Sequence, residues 1–212
     1  MTASALSPYL SPLPLIAVLR GISPAEIPGV AGALVDNGFR ILEVPLNSPD
    51  PMQSIALLAR SFGERCLTGA GTVVEVADVA KVAQVGGRLV VMPHADVAII
   101  REAKRLGLVC VPGVSTLTEA FAALHAGADG LKMFPAELLT PSVLKAWRAV
   151  LPPQALVFAV GGIRADNMRP YWEVGADGFG TGSNLYKPGA HADEVRAAAA
   201  SYAAGFAALK PR

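Results

Sequence analysis

The chain has 212 residues, 52% of them hydrophobic, with 18 basic and 17 acidic side chains and a net charge of +1. That content supplies one sizeable core. The balanced charge, with no basic patch and no acidic tail, argues against a nucleic-acid partner and leaves a small molecule as the expected one. No run approaches the roughly 18 consecutive apolar residues of a membrane span. Residues 1–10 lack the basic start and long apolar run of a secretory signal, so no membrane or export role is expected. Cys66 and Cys110 form neither a zinc motif nor a disulfide framework and read as small buried hydrophobes of a reduced, cytoplasmic protein.

Eight short apolar runs read as strands, at 15–20, 41–46, 67–72, 89–94, 109–114, 130–135, 156–162 and 178–183. Between them lie alanine-rich segments of helical period. Ser23-Pro24 is expected to open the first helix as N-cap and N1, and residues 165–167, Ala-Asp-Asn, to open a later one. Gly38, Gly86, Gly107, Gly127 and Gly175 sit where helix C-caps prefer glycine. Strand–helix alternation repeated eight times predicts an α/β fold, a single-domain (β/α)8 barrel of the TIM type over 1–212, with an N-terminal extension at 1–13 and a C-terminal helix at 192–209. A doubly wound open sheet is the runner-up, disfavoured because no Gly-x-Gly-x-x-Gly follows the first strand.

In such a barrel the chemistry sits at the C-terminal ends of the strands. Lys132 lies within the apolar run Gly-Leu-Lys-Met-Phe-Pro at 130–135. Burial there disfavours its charged form, and a partly neutral lysine is a nucleophile toward ketones. Its bland alternative is a lysine that reaches solvent over a buried stem. Glu43 is a lone acid in the second strand and shares a face with Ile41 and Pro45, so it faces the barrel interior if they do. It reads as a general base or as an ion-pair partner of Arg20 or Lys132. Arg20, ending the first strand, suits a carboxylate or phosphate as well as a structural pairing with Glu43. Thr72 follows two glycines and either caps a helix or donates to a substrate carboxylate. Gly161-Gly162 and Gly182-Ser183 end the seventh and eighth strands, where barrels often bind phosphate. Pro93 and His94 end the fourth. His94, His125 and His191 are far apart and show no metal-ligand spacing, so neither a metal nor another cofactor is expected.

Six motifs in order resemble the class I aldolases of bacterial sugar-acid breakdown, which act on 2-keto-3-deoxy-6-phosphogluconate or its galactonate epimer. They are Leu-Arg-Gly (19–21), Glu-Val-Pro-Leu-Asn-Ser-Pro (43–49), Gly-Ala-Gly-Thr (69–72), Pro-Gly-Val-Ser-Thr (112–116), Lys-Met-Phe-Pro-Ala-Glu (132–137) and Val-Gly-Gly-Ile (160–163). The resemblance implies a homotrimeric barrel with Lys132 as Schiff-base lysine and Glu43 as acid/base. It places the substrate carboxylate near Arg20 and Thr72, and the phosphate at Gly162, Gly182 and Ser183, with Pro93 among the substrate-binding residues. Gluconate-branch members read Glu-Val-Thr-Leu-Arg-Thr on the second strand and carry threonine before the Gly-Gly pair. Asn47 and Val160 stand at those positions here and match the galactonate branch, whereas Pro-Ala-Glu at 135–137 matches the gluconate branch. The implied reaction is cleavage of a phosphorylated 2-keto-3-deoxy galactonate to pyruvate and D-glyceraldehyde 3-phosphate. The alternatives are a gluconate or dual-specificity aldolase, a metal-dependent sugar-phosphate epimerase and a non-catalytic phosphate-binding barrel.

Overall fold

A computed structural model describes residues 5–209. Nine parallel strands form one sheet: β1 (Leu15–Val18), β2 (Ile41–Pro45), β3 (Leu67–Gly71), β4 (Leu89–Val91), β5 (Val109–Val111), β6 (Gly113–Val114), β7 (Leu131–Met133), β8 (Val157–Val160) and β9 (Gly178–Thr181). Their order is β5-β4-β3-β2-β1-β9-β8-β7-β6. β5 and β6 are the two halves of one expected strand, separated by Pro112, which has no N–H to give to a ladder. β5 pairs with β4 and β6 with β7, so the backbone around Pro112 joins the two ends of the sheet and closes the barrel. The Pro112 carbonyl still accepts from Lys132 N–H at 2.8 Å.

Eight helices follow in alternation: α1 (Ile27–Asp36), α2 (Pro51–Phe62), α3 (Val76–Gln84), α4 (Val97–Arg105), α5 (Leu117–His125), α6 (Pro141–Arg148), α7 (Arg169–Glu173) and α8 (Ala192–Ala207). Among the described residues none is long and apolar enough to cross a membrane. Gly38, Gly86, Gly107, Gly127 and Gly175 all have φ between 74° and 110°, the left-handed conformation that ends a helix. The expected starts at 23–24 and 165–167 are corrected. α1 begins at Ile27, because the Ser23 N–H and hydroxyl both donate to Glu26 Oε2 and form a turn ahead of the helix. α7 begins at Arg169, and Asn167 Oδ1 is taken by the Arg164 N–H.

Strand alternation divides the core in two. Ile16, Ile41, Leu67, Leu89, Val109, Phe158 and Val160 fill the barrel interior, and their neighbours pack outward against the helices. Leu6, fully buried beside a short 3-10 turn (Ser7–Tyr9), packs into the interior cluster and closes the N-terminal end. Residues 1–4 of the expected N-terminal extension and residues 210–212 lie outside the described residues. The opposite, C-terminal end is where the interior changes from aliphatic to polar.

Candidate active site

β7 places Lys132 inside the barrel because Leu131 and Met133 take the outer face. The lysine is 7% exposed, and its Nζ lies 4.5 Å from the centroid of the Phe134 ring. Burial holds its pKa below the ordinary lysine value; Glu43 raises it, and the Arg20 charge lowers it further. Glu43, on β2, is 1% exposed, and its Oε2 has no hydrogen-bond partner among the described residues. Burial pushes its carboxyl up to about 7, against the pull of Lys132 and Arg20. Lys132 is therefore driven toward its neutral, nucleophilic form, and a carboxyl raised to about 7 can both take up a proton as carboxylate and give it back as acid.

Small residues make this space. A Cβ at Gly71 would overlap the Glu43 carboxylate, and one at Gly69 would overlap the backbone of Leu89. A Cβ at Gly180 would come within 2.7 Å of the Val160 side chain. Alanine at any of the three would displace either the acid or the wall beside it.

The loops after β1, β2 and β3 are tied to one another. Arg20 donates through Nη1 to Asn47 Oδ1 at 2.7 Å and through Nη2 to Thr72 Oγ1 at 3.3 Å, while Gly21 N–H donates to Ser48 Oγ at 2.9 Å. Thr72 has φ 54°, a left-handed conformation costly for a β-branched residue. The end of β3 fixes it in place, with its hydroxyl held toward the arginine. Arg20 is thus oriented by two polar neighbours and pairs with neither Glu43 nor any other acid among the described residues.

A cavity of about 180 Å³ opens at this end of the barrel and brings together Arg20, Lys132, Val160, Gly162, Gly182 and Ser183. Asn47 and Thr72 join it through Arg20. Pro93 is half-buried at the end of β4, with its backbone against Gly113, and does not line the cavity. The neighbouring His94 is exposed and does not line it either. Gly161 and Gly162 have φ 111° and 63°, so their loop demands glycine. After β9, the N–H groups of Leu185 and Tyr186 both donate to Gly182 O and close a turn. Among the described residues none accepts from the N–H of Gly162, Ser183 or Asn184, which leaves donors as at a helix N-terminus. The cavity therefore has an amine in its middle, a guanidinium at one side and unspent amides at the other. That layout fits a molecule with a carboxylate, a ketone and a phosphate in sequence.

Gly161, expected from the Gly161-Gly162 pair, also lines the cavity, as do Phe134, Glu137 and Asn184, to which the sequence reading assigns no role. Phe134 was open to detection by the same alternation that found Lys132. Glu137 and Asn184 lie past the strand ends, where periodicity carries no signal. A larger, shallow depression of about 520 Å³ lies at the opposite end of the barrel. Arg148 within it is spent on Gly175 O, Ala155 O and Asp177, so it reads as a brace between α6 and the strand starts. Among the described residues no group of three or more His, Cys, Asp or Glu side chains converges as a metal site.

The family model for KDPG and KHG aldolase matches residues 7–198. A probable 2-dehydro-3-deoxy-6-phosphogalactonate aldolase of Rhizobium meliloti (strain 1021) is 50% identical over 196 residues, 92% of each chain. The 2-dehydro-3-deoxy-6-phosphogalactonate aldolase of Escherichia coli (strain K12) is 42% identical over 92% of this chain and 95% of its own. A solved structure described as "Native KDPGal structure" superposes with TM-score 0.92 at 41% identity, covering 94% of this chain and 97% of the other. Barrel, cavity and matches agree: the chain belongs to the KDPG and KHG aldolase family.

Proposed function

We propose that this protein is a class I aldolase that cleaves 2-dehydro-3-deoxy-6-phosphogalactonate to pyruvate and D-glyceraldehyde 3-phosphate. The observation that carries the proposal is the buried Lys132–Glu43 pair beside a cavity with Arg20 at one side and unspent loop amides at the other. The galactonate assignment is supported by the names of the two relatives and by Asn47 and Val160.

In this reading Arg20 and Thr72 hold the substrate carboxylate, and Gly162, Gly182 and Ser183 hold the phosphate. Neutral Lys132 attacks the C2 ketone, and the carbinolamine loses water to give a protonated imine. Glu43 takes the proton of the C4 hydroxyl. The C3–C4 bond then breaks, its electrons pass into the iminium, and the aldehyde leaves. Protonation of the resulting enamine at C3 and hydrolysis of the imine release pyruvate and return Lys132 as the amine. The protonated imine serves as the electron sink for the bond that breaks.

Val160 supplies a wall with no hydroxyl beside the reacting carbons, so it discriminates between C4 epimers by shape and not by hydrogen bonding. A homotrimer and a cytoplasmic location belong to the same proposal. The apolar side chains of Val74, Val76 and Leu138, exposed by 46%, 41% and 76% near the strand-end loops, support assembly, and the two buried free thiols support a reducing compartment. The test is Lys132→Ala: turnover is lost by at least a thousandfold while the far-ultraviolet circular dichroism is retained. Activity within tenfold of the parent would overturn the Schiff-base assignment.

A further inference from the structure

Glu137 is an acid in a cavity otherwise built for anions. It follows the Phe134-Pro135 peptide on the loop after β7, and that loop is anchored on several sides. Ala136 N–H donates to Val160 O at 2.8 Å, and the Tyr171 hydroxyl donates to Ala136 O at 2.7 Å and to Leu139 O at 3.2 Å. Leu138 and Leu139 N–H both return to Pro135 O. The anchored loop lays the Glu137 side chain over the Gly161-Gly162 turn. A Cβ at Gly162 would lie 2.8 Å from Glu137 Cγ, and one at Gly161 would overlap its carboxylate. Glu137 is exposed at the cavity rim, and among the described residues its carboxylate makes no ion pair and no hydrogen bond, so it is open to a ligand in the cavity. A carboxylate does not bind a phosphate, and like charges this close repel. It accepts hydrogen bonds from hydroxyl groups.

We infer that Glu137 is a specificity residue that accepts a hydrogen bond from the substrate's C5 hydroxyl, the one on the carbon next to the phosphorylated carbon. This rests on the aldolase reading above. With the ketone at Lys132 and the phosphate at Gly162 and Ser183, the carbons between them cross the part of the cavity that Glu137 borders. The C4 hydroxyl is engaged by Glu43, which leaves the C5 hydroxyl for Glu137. The bond makes the enzyme select a hydroxylated aldehyde in the reverse direction, and the negative charge sets a limit on how far the phosphate advances toward Lys132.

The experiment runs the synthesis direction, pyruvate with D-glyceraldehyde 3-phosphate or with 3-oxopropyl phosphate, which lacks only the relevant hydroxyl. Exchange of the pyruvate methyl protons into deuterated water is measured alongside, because it reports the enamine without any aldehyde. The parent protein is expected to prefer the hydroxylated aldehyde by at least tenfold in kcat/KM, a bond to a charged acceptor. Glu137→Ala is expected to bring that ratio near one, and Glu137→Gln, which keeps one acceptor oxygen, to restore part of it. Proton exchange with an undiminished preference in Glu137→Ala would overturn this assignment alone. Absence of proton exchange in the parent protein would overturn the aldolase reading and this assignment with it.

Discussion

Replacing Glu43 by glutamine is expected to stabilise the protein above neutral pH while it disables the reaction. The carboxyl is 1% exposed, one oxygen has no hydrogen-bond partner, and its pKa is pushed from 4.5 up to about 7. Between those values the folded protein keeps a proton that the unfolded chain has lost, so stability falls as pH rises through this window, and the loss is complete above about 7. The difference corresponds to about 3 kcal/mol. Glutamine has nearly the same shape and no charge, so it does not pass through this loss. It also removes the attraction that raises the Lys132 pKa, which offsets part of the gain. The net expectation is that Glu43→Gln is about 1–3 kcal/mol more stable than the parent at pH 8 and within about 1 kcal/mol of it at pH 5. Other acids, such as Glu26 and Glu119, whose pKa values are lowered by hydrogen bonds, change stability in the opposite sense, but they cancel in the comparison. Guanidinium unfolding followed by fluorescence of Trp147 and Trp172 at four pH values measures it. A difference that does not change with pH, or a variant less stable than the parent at pH 8, would refute the placement of a carboxylate whose burial costs more than its attraction to Lys132 and Arg20 returns.

Val160→Thr places a hydroxyl on the wall beside the reacting carbons, and the ratio of kcat/KM for the gluconate epimer over the galactonate epimer should rise about tenfold. An unchanged ratio would remove Val160 from epimer selection. Light scattering of the full chain should give three times the chain mass at micromolar concentration, and a strictly monomeric protein would remove the exposed valines at 74 and 76 from any interface.

Much of the fold is legible because the residues that mark it have single local causes. The five helix-ending glycines each take a left-handed φ, which only the local backbone dictates. Lys132 and Glu43 stand out because a charge inside an apolar strand has few explanations. Three other features depend on contacts between segments distant in the chain and are not visible locally. Ser23 looks like an N-cap, yet its hydroxyl is spent on Glu26, which itself is bound to Tyr186 and Gly189 from the segment after β9, distant in the chain and adjacent in the barrel. Pro112 splits a strand that reads as continuous, and the split falls where the sheet joins its own two ends. Gly71 reads as part of a glycine-rich strand end; only the structure shows that its missing Cβ is the space occupied by the Glu43 carboxylate. Glu137 and Asn184 belong to the cavity because loops fold back over it, and no periodicity predicts that.

In the proposed reaction Lys132 forms an imine with a 2-keto acid. The direct measurement is mass spectrometry of the peptide that carries Lys132 after incubation with pyruvate and sodium borohydride. One reduced pyruvyl group is expected on that lysine and none elsewhere. A protein that turns over the phosphorylated keto acid and yields no adduct on Lys132 would contradict it.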